Sequence, residues 1–330
     1  MNFTRDDVQA AQRVVYAMMN PTPQYAWPLL RERLGVTVWV KHENHTPAGA
    51  FKVRGGQVYF DALSRAHPGL RGVISATRGN HGQSVGWGAR KFGLTCTIVV
   101  PHGNSVEKNA AMRALGADLV EHGEDFQAAR EYAAALAHER GLHMVPSFHP
   151  DLVRGVMTYW VEFFESFARG EEPAVVYVPV GQGSGFCAAA AARAYTGARS
   201  KLVAVVSAHA TTYLDSFRAK KVVAAPVATV LADGMACRIA DEEALQIVLR
   251  EAEDVVTVTD DEVAEAMRIL FADTHNVAEG AGAAALAAAI KGRARWPGAA
   301  VGVALTGGNV DSDVFARVLA GAAVSRPQPA

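Results

Sequence analysis

The sequence predicts an α/β protein of mostly parallel sheets flanked by helices, and three observations carry that prediction. Short β-branched runs alternate along the chain with longer stretches of helical spacing. The strand-like runs are apolar without interruption, as in sheets covered on both faces. Most of the helical stretches close on a glycine, the usual residue just past a helix end. At 330 residues the chain is long for a single core and fits two domains.

In chain order, strands are expected at VTVWVKHE, GVISA, CTIVVP, ADLVEH, HMVPSF, AVVYVPV, KLVAVVSA and AVGVALTGG. Helices are expected at GQSVGWGARKFG, SVEKNAAMRALG, DFQAAREYAAALAHERG, VMTYWVEFFESFARG and FCAAAAARAYTG. The unit from Arg71 to about His149 is a self-contained set of βα repeats inserted into a larger body. The expected division is therefore a large domain of 1–66 and 152–330, with a small α/β domain of 67–151. The closing SRPQPA reads as unstructured.

Half the residues are hydrophobic and a fifth are charged, a globular composition. A net charge of −1 gives no basis for nucleic-acid or anionic-membrane binding. Cys96, Cys187 and Cys237 are too few and too widely spaced for a disulfide framework or a zinc site, which favours a reducing cytoplasm. MNFTRDDVQAAQRVV lacks an apolar signal core, and GAGAAALAAAI is too short to span a bilayer.

In α/β sheets ligands bind beyond the carboxyl ends of strands, so the turns there carry the chemistry. In PVGQGSGFCAAAAARA, glycines at 181, 183 and 185 precede a helix opening near Phe186. They free backbone N–H groups for a phosphate, or serve only tight packing. A dinucleotide site needs G-x-G-x-x-G and a downstream acid; here the spacing is G-x-G-x-G and VVSAHATT has no acid. In SATRGNHGQSVG, Asn80 and His81 sit at a turn near the hydroxyls of Ser75, Thr77 and Ser84, fit to bind a carboxylate or to cap a helix. In LTGGNVD, Thr306 offers a hydroxyl beside a turn of Gly307, Gly308 and Asn309, with or without function. In PAGAFKVRGG, Lys52 has no acid within four positions on either side. It is either a surface lysine or a desolvated amine, reactive toward aldehydes. An amine, an anion cradle, an amide and a ring-facing hydroxyl are together what pyridoxal phosphate requires.

On these segments, from about Pro21 to Leu319, the chain resembles the fold-type II pyridoxal-phosphate enzymes, specifically the threonine/serine dehydratases and serine racemase. The resemblance implies the two-domain, tryptophan synthase β-like fold and a homodimer. KHENHTPAGAFKVRGG resembles the lysine segment, with Lys52 as Schiff-base residue and Phe51 beside the ring. TRGNHGQ resembles the substrate loop. It implies Asn80 at the cofactor's 3′-oxygen, and Thr77, Arg78, Gly79, Asn80 and His81 around the substrate. GQGSG resembles the phosphate loop, Gly181, Gln182, Gly183, Ser184 and Gly185; TGGN implies Thr306 at the pyridine nitrogen, and AEGAGAAALAA implies Glu279 near the cofactor. The implied activity is elimination of water from a β-hydroxy-α-amino acid, by default threonine or serine.

Departures from the family pattern set further expectations. Gln182 and Ser184 interrupt a phosphate loop commonly made of four glycines. Arg78 replaces the racemase's serine, which speaks against racemisation and for pairing with an acidic side chain such as that of 3-hydroxyaspartate. SAHATTY lacks the metal-site carboxylates of some relatives, so no metal is expected. GVMT in place of GQGT, with Tyr159, Trp160 and Phe186, is expected to enlarge or dry the pocket for a bulky substrate such as phenylserine. β-Replacement of the cysteine-synthase kind is the nearest rival inside the family, and an NAD-dependent dehydrogenase the rival outside it.

Overall fold

The computed structural model describes residues 1–323, so the closing SRPQPA segment lies outside the described residues. Ten strands are found among them: β1 (Gln24–Ala26), β2 (Val38–His42), β3 (Gly72–Ala76), β4 (Thr95–Val100), β5 (Asp118–Glu121), β6 (His143–Met144), β7 (Val175–Pro179), β8 (Lys201–Ser207), β9 (Ala252–Val258) and β10 (Val301–Leu305). They form a six-stranded sheet, β1-β2-β10-β7-β8-β9, and a four-stranded sheet, β5-β4-β3-β6. Every neighbouring pair is parallel except β1 with β2. The mostly parallel α/β architecture expected from the sequence is what the chain adopts.

All the expected strands form, and two strands form where none was expected. β1 has three residues, closely flanked by Pro23 and Pro28, and pairs antiparallel at the sheet edge. β9 carries Glu253 and Asp254 straight after its first residue, lies at the opposite edge and is only half buried. Neither carries the continuous apolar run that betrays a central parallel strand. By contrast β10, wholly buried, lies between β2 and β7 with Val303 opposite both Val40 and Tyr177. Residues near the two ends of the chain thus meet in one sheet. The alanine-rich helix Gly280–Gly292 packs on β7 and β10, where its small side chains allow close approach.

The segment AFKVRGG begins a helix, Lys52–Ala66, wedged between the helices Asn80–Lys91 and Pro150–Glu165. Its glycines exist for that wedge. A Cβ on Gly55 would sit 2.7 Å from the Leu152 carbonyl oxygen, and one on Gly155 would collide with the Arg54 carbonyl oxygen. At 3.6 residues per turn, positions 52 and 54 point about 200° apart. Lys52 therefore faces one side of the helix and Arg54 the other. Arg54 is fully buried, its Nε 2.8 Å from Glu43 and its Nη1 2.6 Å from Glu162, while Lys41 Nζ lies 2.6 Å from Glu162. Two cations and two carboxylates balance there, which is the condition under which such charges survive burial.

Candidate active site

Three strands end at one cavity. β3 runs into Thr77–His81, β7 into Gly181–Gly185 and β10 into Thr306, and all of these residues line it together with Phe51, Lys52, Arg78 and Glu279. Every site residue expected from the sequence therefore lines a single cavity, most of them at the carboxyl ends of strands and Phe51, Lys52 and Glu279 at helix starts. The stitching is local. The Phe51 N–H donates to the Thr306 carbonyl at 3.0 Å, and Ala50 bridges to Gly307, so the end of β10 fixes the start of the lysine helix.

Lys52 opens that helix. Its Nζ lies 3.2 Å from Ser184 Oγ and 4.8 Å from the centre of the Phe51 ring. Burial pushes its pKa down to about 8, against the opposing pull of the Glu279 carboxylate. The positive end of the helix dipole acts in the same direction as burial. The amine is thus far easier to deprotonate than a surface lysine.

The helix Ser184–Thr196 begins at the glycine loop, and its N-cap, Gly183, provides no side-chain cap. Gly183 has φ +101°, and a Cβ there would collide with Ala244 Cβ. Only glycine suits that position. Gln182 does not fill the loop: its side-chain amide donates to Cys237 Sγ at 2.9 Å, and its carbonyl accepts from Tyr213 Oη at 3.0 Å. The uncapped first-turn N–H groups offer the backbone donors that a phosphate needs. Thr306 is buried, and its Oγ1 has only a 3.4 Å contact to the Ala281 carbonyl.

In the second loop the two readings of the sequence divide between residues. Thr77 Oγ1 accepts from the N–H of Gly79 at 2.9 Å and of Gly82 at 3.2 Å, which is helix capping. Asn80 instead is held by its amide. Nδ2 donates to Glu279 Oε1 and Oδ1 accepts from Asn309 Nδ2 at 2.9 Å, while Asn309 also donates to the Ala48 carbonyl at 2.8 Å. One N–H of Asn80 is left for a ligand. His81 is buried, and its pKa is pushed down to about 3 by burial and by Lys52, so it is neutral at physiological pH.

Sequence reasoning missed a buried charge cluster in the same cavity. Lys108 Nζ sits 2.8 Å from Asp233 Oδ2 and 2.9 Å from Glu279 Oε2. Burial opposes its charge, but the two carboxylates win and raise its pKa. Glu279 is raised by burial and Asp233, with Lys108 and Asn80 pulling it back. A lysine in the first turn of the helix Val106–Ala114, against the dipole, was the available signal. The expected aromatic pocket is corrected: Tyr159 lines the cavity, but Trp160 and Phe186 lie in the core behind it, Trp160 Nε1 donating to the Gly185 carbonyl at 3.2 Å. Cys237 also lines the wall, its thiol pushed up to about 11 by burial. Among the described residues, no three His, Cys, Asp or Glu side chains gather as metal ligands, and no helix is long and apolar enough to cross a membrane.

A deprotonatable lysine, an uncapped helix start at a glycine loop and a buried hydroxyl share one cavity at the carboxyl ends of strands from both sheets, a set of groups suited to a phosphorylated aldehyde. Residues 16–307 match the family described as pyridoxal-phosphate dependent enzyme, and the chain belongs to that family. The cofactor is pyridoxal phosphate, and the dinucleotide alternative is overturned. The chain is 30% identical over 318 residues to the L-threonine ammonia-lyase of Thermotoga maritima, covering 96% of this chain and 78% of that one. It is 28% identical to the L-threo-3-hydroxyaspartate ammonia-lyase of Saccharomyces cerevisiae, covering 96% and 97%. Among solved structures, the processed form of threonine deaminase isoform 2 from Solanum lycopersicum superposes with a TM-score of 0.85 at 26% identity, over 97% of this chain and 95% of that one. Several longer threonine dehydratases are matched over about half of their length.

Proposed function

We propose that the protein is a pyridoxal-phosphate-dependent dehydratase, an ammonia-lyase that eliminates water from threonine or serine to give a 2-oxo acid and ammonia. The observation that carries this reading is the Lys52 amine, lowered to about 8 and facing the same cavity as the glycine loop, Asn80 and Thr306. The ammonia-lyases and threonine deaminase among the relatives support it.

Bound pyridoxal phosphate supplies an aldehyde for amines and a conjugated ring that takes up the electron pair left at Cα. The chain supplies the rest. Gly181–Gly185 would hold the phosphate through backbone N–H groups, with Phe51 beside the ring. Asn80 would donate its free amide N–H to the ring oxygen, a position that Glu279 and Asn309 fix from behind. Thr306 would meet the pyridine nitrogen with a neutral hydroxyl, where a carboxylate would hold that nitrogen protonated. That choice favours prompt loss of the β-hydroxyl over transamination. Thr77, Gly79 and neutral His81 would surround the substrate carboxylate. Lys52 Nζ would take the Cα proton, and its low pKa lets it act near neutral pH. The leaving hydroxyl needs a proton, and Lys52 would return to it the one taken from Cα. Arg78 offers a guanidinium, a hydrogen-bond donor with no acceptor, in place of an acid–base group on the opposite face, which argues against racemisation.

With Trp160 and Phe186 outside the cavity, an aryl substrate such as phenylserine loses its main support. The division into 1–66 with 152–330 and an inserted 67–151 rests on the four-stranded sheet being drawn wholly from residues 72–144. A cytoplasmic homodimer completes the proposal, and light scattering on the purified enzyme tests the assembly. The function itself is tested by measuring ammonia and 2-oxo acid from serine and threonine. Equal amounts of the two products are expected; no release from serine, threonine or any other β-hydroxy-α-amino acid refutes the reading.

A further inference from the structure

One charge on the cavity wall has no partner. Arg78 follows Thr77 at the end of β3 and lines the cavity with Lys52. Among the described residues its side chain has no ion pair or hydrogen bond, and its Nε is buried without a partner. The other cations of the cavity are accounted for. Lys108 is neutralised by Asp233 and Glu279, and Lys52 titrates near 8 beside the cofactor cradle.

Beyond Arg78 a second pocket adjoins the cavity, with Arg78, Phe126, Gln182 and Ala236 lining both. The other charged groups facing that pocket are Glu124, Asp125 and Arg238. Asp125 and Arg238 pair with one another at 2.8 Å, and Glu124 is turned to solvent. The junction between the two thus presents an uncompensated guanidinium fork, partly desolvated. A carboxylate is its natural complement, because the fork matches two oxygens and the pairing recovers the desolvation.

Resting on the dehydratase reading, we propose that Arg78 is a specificity-determining residue that binds a second carboxylate on the substrate's side chain. The preferred substrate is then a β-hydroxy-α-amino dicarboxylic acid, 3-hydroxyaspartate being the shortest. Lys52 and the turn at Asn80 serve the α end, and Arg78 the β end. The Cα proton and the β-hydroxyl leave as water. The resulting enamine tautomerises to an imine, and one water hydrolyses it to a 2-oxo dicarboxylic acid and ammonia. No oxidant or reductant is required.

The test is steady-state kinetics of 2-oxo acid release by the holoenzyme from 3-hydroxyaspartate (threo and erythro), threonine, serine and phenylserine. Wild type, Arg78→Ala and Arg78→Lys are compared, with succinate as an unreactive dicarboxylate competitor. Wild type is expected to have its highest kcat/KM on a 3-hydroxyaspartate isomer. Arg78→Ala should lower the hydroxyaspartate-to-threonine ratio of kcat/KM by about tenfold to a hundredfold, mostly through KM, the usual worth of a charged hydrogen-bonded contact. Arg78→Lys should fall between the two, and succinate inhibition should weaken at least about tenfold in Arg78→Ala. A wild type that turns over threonine or serine with no preference for hydroxyaspartate overturns the proposal and leaves the dehydratase reading standing. An equal loss on all substrates in Arg78→Ala also overturns it, since that assigns the arginine to the α end. Absence of 2-oxo acid from every substrate overturns both. Should Arg78→Ala fail to fold, wild-type preference and succinate inhibition decide by themselves.

Discussion

Replacing Lys52 by methionine in the cofactor-free protein should stabilise it, and the gain should depend on pH in a way the cavity dictates. Burial holds the amine near 8, below its ordinary 10.5. In the unfolded chain the ordinary value returns, so between those two pH values the unfolded state binds a proton that the native state has released. Wild-type stability therefore rises with pH across that window. Below pH 8 both states are protonated, and burying the ammonium costs the native state about 3 kcal/mol, the free-energy equivalent of that gap. Methionine keeps an unbranched chain and removes the charge. Urea unfolding of the two apoproteins at pH 7, 8, 9 and 10 should give Lys52→Met an advantage of up to about 3 kcal/mol at pH 7 that has largely gone by pH 10. A difference that does not change with pH would mean that the amine is not desolvated as described.

Other substitutions probe the supports of the site. Arg54→Met should cost about 3–5 kcal/mol, because among the described residues it leaves Glu43 buried without an ion pair and Glu162 with Lys41 alone; a thermal melt within a few degrees of wild type would contradict the balanced network. Gly183→Ala forces a side chain onto a φ of +101° and into Ala244, so fluorescence titration should show cofactor affinity falling at least about tenfold. Unchanged affinity would exclude the loop as the phosphate cradle. Asn309→Ala should free the Asn80 amide, shifting the cofactor's visible absorbance band while leaving the fold's far-ultraviolet circular dichroism intact; an unshifted band would remove Asn309 from the positioning of Asn80.

Legibility followed sequence distance. Asn80, the glycines at 181 to 185 and Thr306 could be read because each stands just past the end of an apolar strand run, and Lys52 because no acid neighbours it; the topology brings them together. The pair Lys108–Asp233 could not, since 125 residues separate partners whose local sequences read as an ordinary helix start and a turn. Trp160 was misplaced through its neighbour. Consecutive helical residues point about 100° apart, so Tyr159 facing the cavity sends Trp160 into the core. The lysine helix was obscured by Gly55 and Gly56, which weaken helical propensity but are required by the backbone of Leu152 and the side chain of Ser84. The same glycines let Lys52 and Arg54 occupy opposite faces of one crowded helix. That explains why a motif with two cations and no adjacent acid is stable.

The cavity holds two lysines of opposite character, and borohydride reduction of the purified holoenzyme separates them. Lys52 is depressed by burial, while Lys108 is kept protonated by Asp233 and Glu279. Peptide mapping of the reduced protein should find the cofactor fixed to Lys52 alone, with dehydratase activity lost in proportion. Cofactor recovered on Lys108, or on no lysine, would contradict the account at its centre.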